Sequence, residues 1–148
     1  GPLNNPADRD HCIQYMVAVP IIFGRLTASD YEDNVASDPR IDALRDRIEC
    51  VEDKQFTKDY HDPGKRSIAN ALTVEFIDGK KLKEVVVEYP IGHKRRRKEG
   101  MPVLVAKFQT NLSRVFPSKQ AAAILDLCLD AKRLDATPVN EFVDLMVI

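Results

Sequence analysis

The hydrophobic positions in the first third of the chain have the spacing of helices. Residues 11–23 are apolar nearly all round, which predicts a buried helix with Asp10 as its N-cap. Pro20 falls inside this segment and is expected to kink or end the helix. Thr27 and Asp30 form a capping-box pattern, with Asp in place of the usual Glu, so a second helix is predicted to begin there.

A third helix is predicted to begin at Asp38-Pro39, because proline favours the first turn of a helix. Its apolar positions recur at helical spacing and would share one face: Ile41, Leu44 and Ile48. Residues 52–66 are polar and contain the turn signal Asp62-Pro63-Gly64. This connection is therefore predicted to be an exposed loop.

The hydrophobic period then changes to two, which indicates strands. The alternating apolar positions are Ile68, Leu72, Val74 and Phe76. Asp78-Gly79 is a strong hairpin turn, and residues 82–89 are predicted to be the partner strand. Cys50 and Val51 could add a short third strand.

The last third of the chain returns to helical spacing. Pro102 is predicted to start a helix that Pro117 ends, and Ser118 is predicted to cap the next helix. Residues 139–147 are predicted to add a last turn or two. Helices, a small antiparallel sheet and further helices together give the predicted fold class, α+β.

Composition and charge narrow the class of protein. The chain has 148 residues, of which 44% are hydrophobic and 30% charged, a mixture typical of a globular domain. Its 22 basic and 23 acidic residues give a net charge of -1, so no global field favours nucleic acid or a membrane. No apolar run approaches the roughly 20 residues that a bilayer requires.

The cysteines indicate the redox state and metal-binding capacity of the chain, and the first residues indicate its processing. Cys12, Cys50 and Cys128 are scattered and odd in number, which predicts reduced thiols and no disulfide framework. They lack CxxC spacing, so a zinc ion or an iron–sulfur cluster would need other ligands. Gly1-Pro2-Leu3 resembles the scar of a removed purification tag, and residues 1–4 are predicted to be tag remnant and linker.

His11 is the first candidate for chemistry. If Asp10 caps a helix, His11 lies in the first helical turn, where the unpaired N–H groups and the dipole favour anions. The imidazole would then be biased toward its neutral form and could act as a base beside a bound carboxylate. A capping or packing histidine is the simpler interpretation.

A run of five cations, Lys94-Arg95-Arg96-Arg97-Lys98, follows Gly92-His93 and is the second candidate. It could be a solvated loop, a nuclear localisation signal or a patch that contacts phosphates. It could also clamp a polyanionic small molecule, because arginine matches carboxylates bidentately. Residues 59–67 combine acid, phenol, imidazole and cations, which suits either a polar pocket wall or a plain surface turn.

Several stretches in order along the chain resemble the C-terminal part of the MmgE/PrpD family. They cover essentially the whole sequence: Asn5-Pro6-Ala7-Asp8-Arg9-Asp10-His11-Cys12-Ile13-Gln14-Tyr15-Met16-Val17-Ala18-Val19-Pro20, Leu26-Thr27-Ala28-Ser29-Asp30-Tyr31-Glu32-Asp33, Asp38-Pro39-Arg40-Ile41-Asp42-Ala43-Leu44-Arg45, Lys65-Arg66-Ser67-Ile68-Ala69-Asn70-Ala71 and Val86-Val87-Glu88-Tyr89-Pro90-Ile91-Gly92-His93-Lys94-Arg95-Arg96-Arg97.

This resemblance implies a fragment of a two-domain enzyme. The larger, all-helical domain would lie mostly before this chain, residues 5–100 would form an α+β lid domain, and residues 101–148 would return to the helical domain. The resemblance also implies a homodimer when intact. It implies a mitochondrial matrix location, or the cytoplasm for a bacterial protein.

The resemblance further implies an activity, the elimination of water from 2-methylcitrate to give 2-methyl-cis-aconitate in propionate breakdown. This reaction uses no iron–sulfur cluster or other cofactor in the family. It requires a base, an acid, and cations for a tricarboxylate substrate. On this basis His11 is the predicted catalytic residue. The predicted carboxylate-binding residues are Arg66, His93, Lys94 and Arg95.

Other pocket residues of the family belong to the domain outside this chain, so the isolated chain is expected to be inactive. Two alternatives stay open at this point. One is decarboxylation of cis-aconitate, a related activity of the same family. The other is a non-enzymatic interaction module that uses the basic run. The near-neutral net charge argues against nucleic acid as the partner of such a module.

Overall fold

The computed structural model describes residues 1–148, and its chain divides into two units, Gly1–Lys54 and Gln55–Ile148. The first unit is helical. It contains α1 (Pro6–Asp10), α2 (Ile13–Phe23), a 3-10 turn (Ala28–Tyr31), α3 (Asp33–Ala36) and α4 (Pro39–Arg45). The predicted boundary near residue 100 concerns an intact enzyme and stays a prediction.

The predicted helix over residues 11–23 is interrupted at His11-Cys12. Asn5 and Pro6 start α1, which ends with His11 as its C-cap, and the extended Cys12 precedes α2. The assignment of Asp10 as an N-cap was therefore wrong, because a separate capped turn forms upstream. Pro20 does not end α2, which continues to Gly24, a left-handed C-cap with φ of 70°.

The core of the first unit forms where α2 meets α4. Tyr15, Ala18 and Val19 lie at spacings of three and four residues, and each is at most 1% exposed. They contact Ile41 of α4, which is fully buried. The helix predicted at Asp38-Pro39 is thereby confirmed, with the Asp38 carboxylate accepting from the Arg40 N–H at 2.9 Å.

The predicted capping box is also confirmed, although it starts a single 3-10 turn and not a longer helix. Asp30 is fully buried, and its carboxylate accepts from the N–H and the hydroxyl of Thr27, both at 2.7 Å, and from Arg25. Burial alone would raise the pKa of Asp30, but the bonds from Thr27 and Arg25 bring it below its ordinary value.

Buried Arg9 connects the first residues to the rest of this unit. Its guanidinium donates to the carbonyls of Tyr31 and Leu3 and pairs with Asp33 at 2.7 Å. The side chain of Leu3 contacts the core, and the carbonyl of Gly1 accepts from Arg45. Residues 1–4 therefore make specific contacts with the first unit.

In the second unit, the loop predicted over residues 52–66 was wrong in its first half, which contains helix α5 (Lys54–His61). This helix is short and mostly polar, so its few apolar residues gave no extended apolar pattern in the sequence. Phe56 and Tyr60 lie four residues apart, and Gln55 donates to Asp59 at 2.6 Å at the same spacing. The Gln55–Asp59 contact between successive turns favours a polar helix.

The predicted hairpin is confirmed, with shorter strands than expected. Strand β1 (Asn70–Leu72) pairs antiparallel with β2 (Val85–Val87), with Ala71 opposite Val86. An isolated bridge joins Glu75 to Lys81, and Gly79 takes a φ of 82° in the turn. Every residue of both strands is exposed, so the alternation of apolar residues does not produce a buried face here.

The possible third strand at Cys50 and Val51 was wrong, since the sheet has two strands. Both residues are exposed, and the Val51 side chain leaves 81% of its area in contact with solvent. A residue pair without a buried face or a ladder partner gains little from the extended conformation of a strand.

Helices complete the second unit: α6 (Arg97–Val115), α7 (Ser118–Leu129), α8 (Ala131–Ala136) and α9 (Val139–Asp144). The start predicted at Pro102 was wrong, because α6 begins at Arg97 and contains Pro102. Ser118 is the first residue of α7 and not its cap, and α8 was not predicted. Leu112, Ile124 and Leu127 are the buried apolar residues of α6 and α7. None of the helices is both long and apolar enough to span a bilayer.

Gly100 allows the first turns of α6 to approach the preceding segment. A Cβ atom at this position would lie 2.3 Å from the carbonyl oxygen of Ile91, well inside van der Waals contact. Gly92, by contrast, has nothing within 4 Å of the corresponding position. Gly100 is buried, so a side chain there could be accommodated only by moving backbone.

We expect Gly100→Ala to lower the free energy of unfolding by about 1–3 kcal/mol, through overpacking against Ile91. This loss would occur although alanine favours helix by about 1 kcal/mol over glycine. Urea denaturation of the chain measures the change, with Gly92→Ala as a matched control that should stay within about 0.5 kcal/mol. A more stable Gly100→Ala protein would contradict the close approach.

We expect Asp30→Asn to destabilise the chain at pH 7 by about 1–2 kcal/mol, because it weakens the capping box. The pKa of Asp30 is lower in the folded state than the unfolded value near 3.9, so its contribution is complete above that value. The contribution is lost as the pH falls through the folded pKa. Urea titrations at pH 7 and pH 3 should show a smaller effect in acid, and Glu49→Gln is the control.

Candidate functional site

The five predicted site residues lie in two separate surface regions, one in each unit. His11 belongs to the first unit, and Arg66, His93, Lys94 and Arg95 belong to the second. The structure brings Arg66, His93 and Arg95 into direct contact through side-chain and backbone atoms.

His11 is held through one ring nitrogen. Its Nδ1 lies 2.9 Å from the carbonyl oxygen of Ala7 and 2.5 Å from Oδ1 of Asp10. Both partners accept hydrogen bonds, so Nδ1 carries the proton, and Nε2 is left without a protein partner. The side chain is 84% exposed. An imidazole held in this way can take up or release a proton at Nε2.

The pKa of His11 is raised above its ordinary value. The carbonyl of Ala7 is the main cause, followed by the hydrogen bond and the negative charge of Asp10. The predicted bias toward the neutral form was therefore wrong. His11 lies at the C-terminal end of α1, where carbonyl groups and a carboxylate favour the cation, and not at a helix N-terminus. In its charged form, His11 is suited to donate a proton.

The second surface region, which contains Arg66, His93, Lys94 and Arg95, consists of two turns. We call them the 62–66 turn and the 89–96 turn after their residues. In the 62–66 turn, the side chain of Asp62 accepts from the N–H of Gly64 at 2.7 Å, and its carbonyl accepts from the N–H of Arg66 at 2.8 Å. Arg66 has a φ of 47°, in the left-handed region. This conformation costs a residue other than glycine about 1–3 kcal/mol, so surrounding contacts must hold it.

His93 joins the two turns. Its Nε2 lies 3.1 Å from the carbonyl oxygen of Arg66, and its Nδ1 lies 3.2 Å from the backbone N of Arg95. A carbonyl only accepts and an N–H only donates, so Nε2 carries the proton and Nδ1 accepts. Both ring nitrogens are thus used within the chain, and His93 also caps the 3-10 turn Lys94–Arg96.

Arg95 lies against Tyr89 and the 62–66 turn. One terminal nitrogen donates to the Tyr89 hydroxyl at 2.8 Å, and the other donates to the carbonyl of Gly64. The guanidinium carbon is 4.7 Å from the centre of the Tyr89 ring, within cation–π distance. The Tyr89 and His93 ring centres are 4.6 Å apart. Arg96 donates to the carbonyl of Tyr89 and pairs with Glu99.

Two of the predicted site residues retain unengaged cationic groups. The side chains of Arg66 and Lys94 are exposed and make no hydrogen bond or ion pair in the chain. Lys65, next to Arg66, is instead paired with Asp59 at 2.7 Å. The 62–66 and 89–96 turns therefore present positive charge that no carboxylate of the chain neutralises.

Sequence reasoning missed three residues that shape these places. Asp10 was assigned to a cap, although its position directly before His11 permits a carboxylate–imidazole pair. Tyr89, at the end of the predicted strand, was not connected with the cations that follow it. Ser67 is fully buried and its hydroxyl has no hydrogen-bond partner in the chain, a feature for which the sequence gives no signal.

No group of three or more His, Cys, Asp or Glu side chains is placed to hold a metal ion. One open depression of about 370 Å³ lies among residues of α7, α8 and α9, and another of about 460 Å³ lies at the tip of the hairpin. None of the five predicted site residues lines either depression. His11 and the unpaired cations Arg66 and Lys94 therefore lie on exposed surface outside both of these depressions.

Comparisons with known proteins agree with the resemblance seen in the sequence. The family described as the MmgE/PrpD C-terminal domain matches residues 1–131. The chain is 70% identical over 148 residues to the 2-methylcitrate dehydratase of Cupriavidus necator and 68% identical to that of Escherichia coli (strain K12). It is 56% identical to the mitochondrial 2-methylcitrate dehydratase of Yarrowia lipolytica.

These alignments include 100%, 100% and 99% of this chain, but only 31%, 31% and 28% of the respective relatives. The chain therefore spans less than a third of the length of the curated relatives it matches.

We expect NMR titration of the His11 imidazole to give a pKa above the ordinary value of 6.5, because Ala7 and Asp10 stabilise the cation. Asp10→Asn should lower this pKa, while the carbonyl of Ala7 retains part of the shift. Asp46→Asn, which removes an exposed carboxylate elsewhere in the same unit, is the control. An unchanged His11 pKa in Asp10→Asn would show that the pair does not form in solution.

Proposed function

The chain belongs to the MmgE/PrpD family, and we propose that it is the C-terminal part of a 2-methylcitrate dehydratase. The observation that carries this proposal is an identity of 66–70% over 148 residues to bacterial proteins of that name. At this identity, a shared reaction is the simplest expectation for the proteins that contain the domain.

The proposed reaction removes water from 2-methylcitrate and gives 2-methyl-cis-aconitate. A base takes a proton from carbon, the C–O bond to the hydroxyl breaks, and an acid protonates the departing oxygen so that it leaves as water. The negative charge that develops next to a carboxylate needs cations or hydrogen-bond donors nearby. A substrate with three carboxylates adds to this need.

We propose that His11 transfers a proton in this reaction. Its Nδ1 is held by Ala7 and Asp10, and its Nε2 is open to a ligand. The raised pKa of His11 favours the protonated form, which suits the acid that meets the departing hydroxyl. We further propose that the surface of Arg66, His93, Lys94 and Arg95 contributes to carboxylate binding.

We propose that turnover needs polypeptide beyond this chain. The dehydratase relatives are about three times as long as the segment they share with it, and His11 is exposed on a unit other than the one that contains Arg66, His93, Lys94 and Arg95. The remaining catalytic groups would come from the helical domain that the family resemblance implies, in a homodimeric enzyme. The higher identity to bacterial relatives than to the Yarrowia lipolytica protein favours a bacterial cytoplasm over a mitochondrial matrix.

A chimera tests the reaction. In it, this chain replaces the aligned segment of the Cupriavidus necator dehydratase, and ultraviolet absorbance of the conjugated alkene reports turnover of 2-methylcitrate. We expect the chimera to be active and the isolated chain to be inactive. His11→Ala in the chimera should lower kcat by about 100-fold or more.

The intact Cupriavidus necator enzyme is the positive control, and His61→Ala, at the end of α5, should leave kcat within about twofold. An unchanged kcat in His11→Ala would remove this residue from the mechanism. Turnover by the chain alone would show that no further domain is needed. Release of carbon dioxide from cis-aconitate, without dehydration of 2-methylcitrate, would identify the decarboxylase alternative.

A further inference from the structure

The left-handed conformation of Arg66 is unusual in this chain. Arg66 is the only residue other than glycine with a positive φ. Its side chain is exposed and makes no contact that would stabilise the positive φ. The conformation must therefore be held by contacts of the backbone, and it determines where the guanidinium group projects.

Contacts from both sides hold this backbone. Within the 62–66 turn itself, the carbonyl of Asp62 accepts from the N–H of Arg66 at 2.8 Å. From the 89–96 turn, the imidazole of His93 donates to the carbonyl of Arg66, and the guanidinium of Arg95 donates to the carbonyl of Gly64. The 62–66 turn is thus fixed at two carbonyl groups by side chains of the 89–96 turn.

Tyr89 supports both of those side chains. Its ring contacts the ring of His93 and lies under the guanidinium of Arg95, and its hydroxyl accepts from the same guanidinium. Both ring nitrogens of His93 have partners within the chain, and each terminal nitrogen of Arg95 donates one hydrogen bond to a partner in the chain. His93 cannot bind a carboxylate through its ring nitrogens without giving up an existing contact, and the orientation of the Arg95 guanidinium is fixed by its bonds to Tyr89 and Gly64.

We propose that Tyr89, His93 and Arg95 are positioning residues, which hold Arg66 in its left-handed conformation, and that Arg66 and Lys94 bind a carboxylate of the substrate. This inference rests on the proposed function. Of the four predicted binding residues, Arg66 and Lys94 would contact the ligand, whereas His93 and Arg95, together with Tyr89, would orient Arg66. A guanidinium with free donors matches a carboxylate bidentately, and an ammonium adds a point charge.

The binding half is tested by KM for 2-methylcitrate in the chimera described above. Arg66→Ala and Lys94→Ala should each raise KM by about tenfold, as expected for loss of a charge-assisted hydrogen bond. Lys107→Ala removes an exposed cation from the middle of α6 and is the control, with KM expected within about twofold. An active chimera in which Arg66→Ala leaves KM unchanged would overturn this inference and leave the proposed function intact.

The positioning half is tested by variants of His93 in two backgrounds. His93→Ala should raise KM as much as Arg66→Ala, whereas His93→Gln keeps an Nε2 donor for the carbonyl of Arg66 and should rescue KM to within about threefold. In an Arg66→Ala background, His93→Ala should add nothing to KM, because it acts through Arg66. A residue with only a structural role would lower the melting temperature and show neither the rescue nor this dependence.

NMR of the isolated chain gives a readout that does not depend on turnover. The coupling between the amide and α protons of residue 66 and its Cα shift report whether φ is positive. Tyr89→Leu and His93→Ala should remove the left-handed signature, and Tyr89→Phe, which keeps the ring, should reduce it less. Retention of the signature in Tyr89→Leu and His93→Ala would overturn the positioning role. An inactive chimera would overturn the proposed function and with it the carboxylate ligand, and the NMR result would still decide positioning.

Discussion

The arrangement of the 62–66 and 89–96 turns depends on the hydrogen bonds of the His93 imidazole. This imidazole joins a carbonyl and an N–H that belong to two turns 27 residues apart in the sequence. Because one partner accepts and the other donates, the neutral ring with its proton on Nε2 is the form that satisfies both. The Tyr89 ring lies beside this ring, and Arg95 reaches the 62–66 turn at the carbonyl of Gly64. Gly100 then lets α6 begin directly against Ile91, within the 89–96 turn.

The features that the sequence predicted correctly are those that local chemistry determines. Asp38-Pro39 begins a helix, Thr27 and Asp30 form a capping box, and Asp78-Gly79 turns a hairpin. In each case residues within four positions of one another supply the hydrogen bonds or the backbone conformation. Helix α5 was missed because it is short and mostly polar, with a polar contact between successive turns from Gln55 to Asp59.

The site residues show where such reasoning ends. The sequence identified His11, Arg66, His93, Lys94 and Arg95 through residue types and family resemblance. It could not show that α1 ends at His11, which reversed the expected effect on the imidazole. Nor could it show that His93 and Arg95 are engaged with carbonyl groups from the 62–66 turn. Those contacts cross long stretches of sequence, and no short-range pattern encodes them.

Arg66 is subject to two opposing demands. For folding alone, glycine or asparagine would adopt its positive φ at lower cost, because glycine has no Cβ atom and the short polar side chain of asparagine can hydrogen-bond to the local backbone. Neither of those residues carries a positive charge. An arginine at this position places a positive charge on the turn but strains its backbone. The contacts from His93 and Arg95 offset that strain. Replacement of this arginine by glycine or asparagine is therefore the substitution expected under selection for stability alone.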